Sequence, residues 1–112
     1  MEIVSEKNIP SVLFEGYEMI NIFNNLKKDD QEIKIGKAII KSGTRVPDIG
    51  FGVHDSEEYS YIIKGRLDVI TKEGNSVVTA GDYTYIQTGE EHASINNSNE
   101  DCELIWFLIK RE

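Results

Sequence analysis

Apolar positions in this chain fall in short runs of β-branched and aromatic residues separated by Gly, Asn and Asp, and no window sustains recurrence at three and four residues. The pattern predicts an all-β protein. The expected strands are Tyr17 to Asn24, Glu32 to Lys41, Glu58 to Lys64, Arg66 to Lys72, Ser76 to Ala80, Tyr83 to Gln87, His92 to Asn96 and Glu103 to Lys110. Lys72-Glu73-Gly74-Asn75 reads as a hairpin tip, Gly65 as a tight bend or bulge, and Ala80-Gly81-Asp82 as a corner. The segment from Asn24 to Asp30, polar apart from Leu26, reads as an exposed loop. Eight short strands at near-regular spacing suggest a sandwich or a closed barrel. The last run, Leu104 to Ile109, is apolar on both faces, so one face is expected to line the interior and the other to meet a second layer, such as another copy of the chain.

At 112 residues and 39% hydrophobic content, the chain is expected to form one domain, residues 1–112. Twenty acidic against 12 basic residues give a formal charge of −8, which argues against nucleic acid as a partner. No stretch approaches the roughly 18 apolar residues of a membrane span, and Met1 to Pro10 carries Glu2, Glu6 and Lys7 instead of a basic start and an apolar run. A cytoplasmic protein that does not enter membranes is the expectation. The lone Cys102, between Asp101 and Glu103, is expected to be structural, because acidic neighbours and an apolar run disfavour the thiolate.

Both histidines stand near acidic residues, and His54 and Glu58 have the parity that would aim both into one interior if they share a strand, with Glu57 pointing out. His92 follows the Gly89-Glu90-Glu91 turn, from where an imidazole could reach across a barrel. Two neutral imidazoles and one carboxylate can occupy one face of an octahedral divalent ion and leave the other face open. Such a site would carry net positive charge and favour an anionic or chelating oxygen ligand, for instance a small carboxylate or keto acid. Ser60, Ile62, Ser94 and Asn96 share the parity of these residues and are expected to line the pocket. Tyr59, Tyr61, Tyr83 and Tyr85 are expected to pack across strands with their hydroxyls near solvent, and Arg45 and Arg66 to lie at the surface.

From Gly50 to Asn96 the chain resembles the cupin superfamily, whose motifs read G-x5-H-x-H-x3-4-E-x6-G and G-x5-P-x-G-x2-H-x3-N. His54, three residues, Glu58, six residues and Gly65 match the first from its second His onward, with Gly52 standing where the first His would be. Gly81, Gly89, His92 and Asn96 match the second, with Gln87 in place of Pro. The resemblance implies a double-stranded β-helix, or jelly roll, and a divalent metal (Fe, Mn, Zn, Ni or Co) held by His54, Glu58 and His92, the two-His-one-Glu subtype. It also implies a homodimer, for which Ile20 to Phe23 and the C-terminal strand offer apolar surface.

Two functions are compatible with these residues. One is an enzyme, a dioxygenase with iron or an isomerase, lyase or decarboxylase with a Lewis-acid ion. The other is a non-catalytic small-molecule binder or sensor, with or without metal, since the run from His54 to Leu67 together with Trp106 also looks like sensor cupins of bacterial regulators.

Overall fold

A computed structural model describes residues 1–111. After a single 3-10 turn, Glu6–Asn8, ten strands follow: β1 (Val12–Phe14), β2 (Tyr17–Lys28), β3 (Gln31–Ile40), β4 (Arg45–Val46), β5 (Glu57–Lys64), β6 (Arg66–Thr71), β7 (Gly74–Thr79), β8 (Tyr83–Ile86), β9 (His92–Ile95) and β10 (Cys102–Arg111). No helix of the described residues is long and apolar enough to cross a membrane.

The strands form two antiparallel sheets packed face to face. One has the order β1-β2-β3-β10-β5-β8, the other β4-β9-β6-β7. This is the expected all-β jelly roll, and its ladders form two separate sheets instead of one continuous closed barrel. Alternation decides the faces. On β10, Leu104 and Trp106 are buried inward while Phe107 is 39% exposed on the outer side. The core consists of Ala38, Ile40, Ile62, Cys102, Leu104 and Trp106 from the large sheet and Leu67 from the small one. Gly36 is required where it stands, because a Cβ there would overlap the Trp106 ring and come within 2.6 Å of the Ile20 carbonyl oxygen.

The segment expected to be a loop, Asn24 to Asp30, is instead mostly strand. β2 runs on to Lys28, and the chain reverses over Asp29 and Asp30, both with positive φ (48° and 41°). A two-residue reversal of that kind matches the twist of a hairpin. The pairing of β2 with β3 slips between Asn21 and Phe23 and again between Asn24 and Leu26, where Asn25 takes a φ of 84°. Residues 24 to 28 are all exposed, so their polarity carries no sign of the strand they form. The short strands β1 and β4 also lie beyond the expected set, being two or three residues long and without periodicity to read.

Cys102 is fully buried, and burial, followed by the charges of Glu103 and Glu100, pushes its thiol up to about 11. At pH 8 the thiolate is then scarce. Native protein is expected to react with iodoacetamide at least about a hundredfold more slowly than unfolded protein, whose thiol ionises near its ordinary value. Mass spectrometry of alkylation time courses with and without denaturant checks this, and equal rates would show the thiol to be accessible.

Candidate metal centre and ligand cavity

Three different parts of the fold bring His54, Glu58 and His92 together. Glu58 lies on β5 in the large sheet, His92 opens β9 in the small sheet, and His54 sits on the irregular connection that crosses from β4 to β5. The shared-strand parity expected for His54 and Glu58 is therefore not how they meet: β5 begins only at Glu57. The connection is held by its own backbone bonds. Gly52 and His92 form an isolated bridge, with Gly52 N–H donating to the His92 carbonyl at 2.8 Å and His92 N–H to the Gly52 carbonyl at 3.1 Å. Gly89 N–H donates to the His54 carbonyl at 2.9 Å. The loop that carries one imidazole is thus fastened to the strand and turn that carry the other.

Glu58 stands between the two rings. Its Oε1 lies 3.7 Å from His54 Nε2 and its Oε2 lies 3.8 Å from His92 Nε2. One donor atom from each residue lies within 4.8 Å of the other two. These separations are too long for hydrogen bonds and near the roughly 3 to 4 Å expected of donors about 2.0–2.2 Å from one common ion. The ring of His92 is oriented from behind. Its Nδ1 is 3.0 Å from the Glu90 carbonyl oxygen, which can only accept, so Nδ1 carries the hydrogen and Nε2 is the nitrogen turned to Glu58 and His54. That backing is the arrangement that metal-binding imidazoles use. The donor set therefore fits a divalent ion. Gly52, where a further imidazole would stand in the four-ligand motif, leaves room beside the group: a Cβ built there would be 3.9 Å from His92 Nε2.

Behind the three residues lies a cavity of about 340 Å³ between the sheets. Ser60, Ile62 and Ser94 line it, as parity predicts. Asn96 does not. It is fully buried, its Nδ2 donates to the carbonyls of Ile40 (2.8 Å) and Glu100 (2.9 Å), and its Oδ1 accepts from Ser98 N–H and Oγ–H. It pins the β9–β10 connection to the end of β3. Sequence reasoning left out much of the wall, including Tyr17, Met19, Leu67, Val69 and Trp106, whose inward parity on their strands would have marked them. The Trp106 Nε1 is a buried donor without a partner among the described residues.

The other tyrosines face away, as expected. Tyr59 packs on Tyr85 (ring centroids 5.0 Å apart) and Tyr61 on Tyr83 (4.7 Å) across the outer surface. The Tyr59 hydroxyl donates to Glu57 Oε2, an interaction that raises its pKa. Arg45 is half-buried, donating to the Pro47 carbonyl and lying over the Phe51 ring, whereas Arg66 is exposed beside Asp68. Outside the cavity mouth, Lys110 pairs with Asp55 at 2.9 Å and holds that carboxyl below its ordinary pKa.

A two-sheet jelly roll with two imidazoles and one carboxylate converging on its interior is the architecture that comparison with known proteins matches. The cupin-domain family profile matches residues 39–108, and the chain belongs to that family. No curated protein matches it by sequence. Among solved structures it is similar to the polyketide cyclase RemF from Streptomyces resistomycificus, with a TM-score of 0.79 and 11% identity over 99% of this chain and 84% of that one. An RmlC-like cupin from Shewanella frigidimarina aligns with a TM-score of 0.77 and 19% identity over 100% and 94% of the two chains. A predicted oxalate decarboxylase from Thermotoga maritima aligns with 0.75 and 20% over 97% and 99%. At these identities the likeness is one of fold.

Proposed function

We propose that this protein is a small cytoplasmic cupin enzyme, one domain throughout, in which His54, Glu58 and His92 hold a divalent metal ion. The observation that carries this reading is the convergence of the three donors at 3.7–3.8 Å spacing with the His92 Nδ1 already engaged by the Glu90 carbonyl. An ion held there would supply Lewis acidity, or oxygen activation if it is iron, at coordination positions left open by the three residues. The remaining chemistry belongs to the chain. The connection through Gly52 and His54 orients one side of the substrate, and the apolar interior excludes water from the other. Among the described residues of the cavity, Tyr17 is the one ionisable side chain outside the three, and it stands at the far end, at the Cys102 level of β10 where Glu58 is at the Leu108 level, so proton transfer at the substrate head falls to the three residues themselves. The substrate class is a metabolite with an oxygen-bearing head, and the reaction is of the dioxygenase, isomerase, lyase or decarboxylase type.

Metal analysis tests the reading. Inductively coupled plasma mass spectrometry on protein purified without a metal-affinity step is expected to find close to one equivalent of a transition metal, with little left in His54→Ala. Wild type and variant both empty after incubation with Fe(II), Mn(II), Zn(II), Ni(II) or Co(II) would move the function to a metal-free binding cupin.

The same reading includes a homodimer formed through the outer face of the large sheet. Phe107, Tyr59 and Tyr85 form one cross-strand row on that face, and Ile105, Tyr61 and Tyr83 the next. Tyr83 and Tyr85 are 79% and 56% exposed. A patch of this kind on a lone chain calls for a partner. The N-terminal contribution needs revision: Ile20 is already buried within the chain, and the turn at Glu6 lies close by, its carboxylate 3.3 Å from Lys37 Nζ. Light scattering is expected to give the mass of two chains for wild type and one chain for Tyr85→Glu combined with Phe107→Glu. A wild-type monomer would remove the dimer.

A further inference from the structure

The polarity of the cavity changes with depth. On β5 the inward positions run Glu58, Ser60, Ile62, from charge through hydroxyl to hydrocarbon. The two strands flanking Ser60 at its level supply Thr84 on one side and Trp106 on the other. Beyond that hydroxyl level the wall is made of Ile62, Leu104, Leu67 and other apolar side chains, with the Tyr17 hydroxyl and the Trp106 Nε1, unpartnered among the described residues, as its polar atoms. No Lys or Arg lines the cavity among the described residues. A second carboxylate, a phosphate or a ring of hydroxyls placed there would lose its water and find few partners. The chain's charge of −8 also gives polyanions no attraction from a distance. At the entrance, the connection that carries Gly52 displays Ile49, Phe51 and Val53, which are 87%, 45% and 54% exposed.

We propose that the ligand of this cavity is an amphiphilic monoacid, its oxygen-bearing head beside Gly52 at the His54, Glu58 and His92 group and its hydrocarbon body in the interior against Trp106. This rests on the reading that those three residues hold a divalent ion, and it narrows the substrate class within that reading. Sugar phosphates and polycarboxylates are excluded by the same wall that accepts the body. A cavity of about 340 Å³ lies at the small end of the range for small-molecule sites, so the body is short, a chain or a single ring.

Trp106, the chain's one tryptophan, lines the cavity and reports on its contents by fluorescence. Straight-chain carboxylates from butanoate to octanoate, with citrate and gluconate as polar probes, are titrated into Zn(II)-loaded protein and into protein stripped with a chelator. Affinity is expected to rise about three- to fourfold per methylene until the interior is full, with citrate and gluconate weaker than octanoate. Affinity independent of chain length, or citrate or gluconate bound more tightly than octanoate, would overturn the proposal. The two readings separate within one data set: the slope with chain length tests the hydrocarbon body, and the offset between loaded and stripped protein tests the metal-bound head. If zinc does not load, the slope on the stripped protein still decides the class of body.

Discussion

His92→Ala is expected to lower divalent-ion affinity by more than about a hundredfold, a larger loss than removing a group that merely supports a ligand. The reason lies in the geometry around the ring. His92 is nine-tenths buried, its Nδ1–H is taken by the Glu90 carbonyl, and its Nε2 is thereby committed to the space shared with Glu58 and His54. Alanine removes the donor and leaves a gap that water can enter, while Glu58 and the more exposed His54 form too small a set to hold the ion. Glu58→Gln is the companion variant, keeping the shape of the side chain and removing its charge. Isothermal titration with Zn(II), together with circular dichroism to show that both variants fold, measures the effect. Tight binding that survives in both folded variants would dismiss these residues as the metal site.

Gly65→Ala is expected to cost about 3 kcal/mol or more of stability, lowering the melting temperature by roughly 10 to 20 °C. Two effects combine at this bend between β5 and β6. Gly65 has a φ of +89°, a conformation that side chains resist, and a Cβ there would lie 2.5 Å from the Asp101 carbonyl oxygen and 2.8 Å from the Cys102 Cα. Both obstacles are backbone, at the start of β10, so neither can swing aside. Gly81→Ala separates the two effects, because Gly81 has a similar φ of +96° with nothing within 4 Å of an added Cβ. The Gly81 variant is expected to lose only the conformational part, about 1 kcal/mol. Equal melting temperatures for the two variants would show that crowding against Asp101 and Cys102 contributes nothing.

Strands that alternate against a core were legible in the chain because burial writes its period into the sequence: β5, β6, β8 and β10 all begin and end within about two residues of expectation. The far half of β2 was not, because a ribbon with water on both faces imposes no such period, and its polar residues read as a loop. That His54, Glu58 and His92 come together was legible from their spacing to Gly65, Gly81 and Gly89. The route by which they meet was not. Whether His54 lies on a strand depends on hydrogen bonds from Gly52 and Gly89, which are backbone groups and leave no signature in residue type. Asn96 shows the converse: it has the parity of a pocket residue, but the chain turns after Ile95, and its amide serves that turn. The gradient of polarity along the cavity likewise needed the pairing registers, since Ser60 and Thr84 become neighbours only once β5 and β8 are aligned.

The position of Glu58 on one sheet and His92 on the other gives an occupant of the site a mechanical part to play. Asn96 already ties the layers at one end through its hydrogen bond to the Ile40 carbonyl, and a ligand gripped by both sheets at the other end would act as a second rivet against shear. Opening of the sandwich would then begin with its release, and the edge strand β8, whose Ile86 pairs with Glu58, would fray late in a loaded protein and early in an empty one.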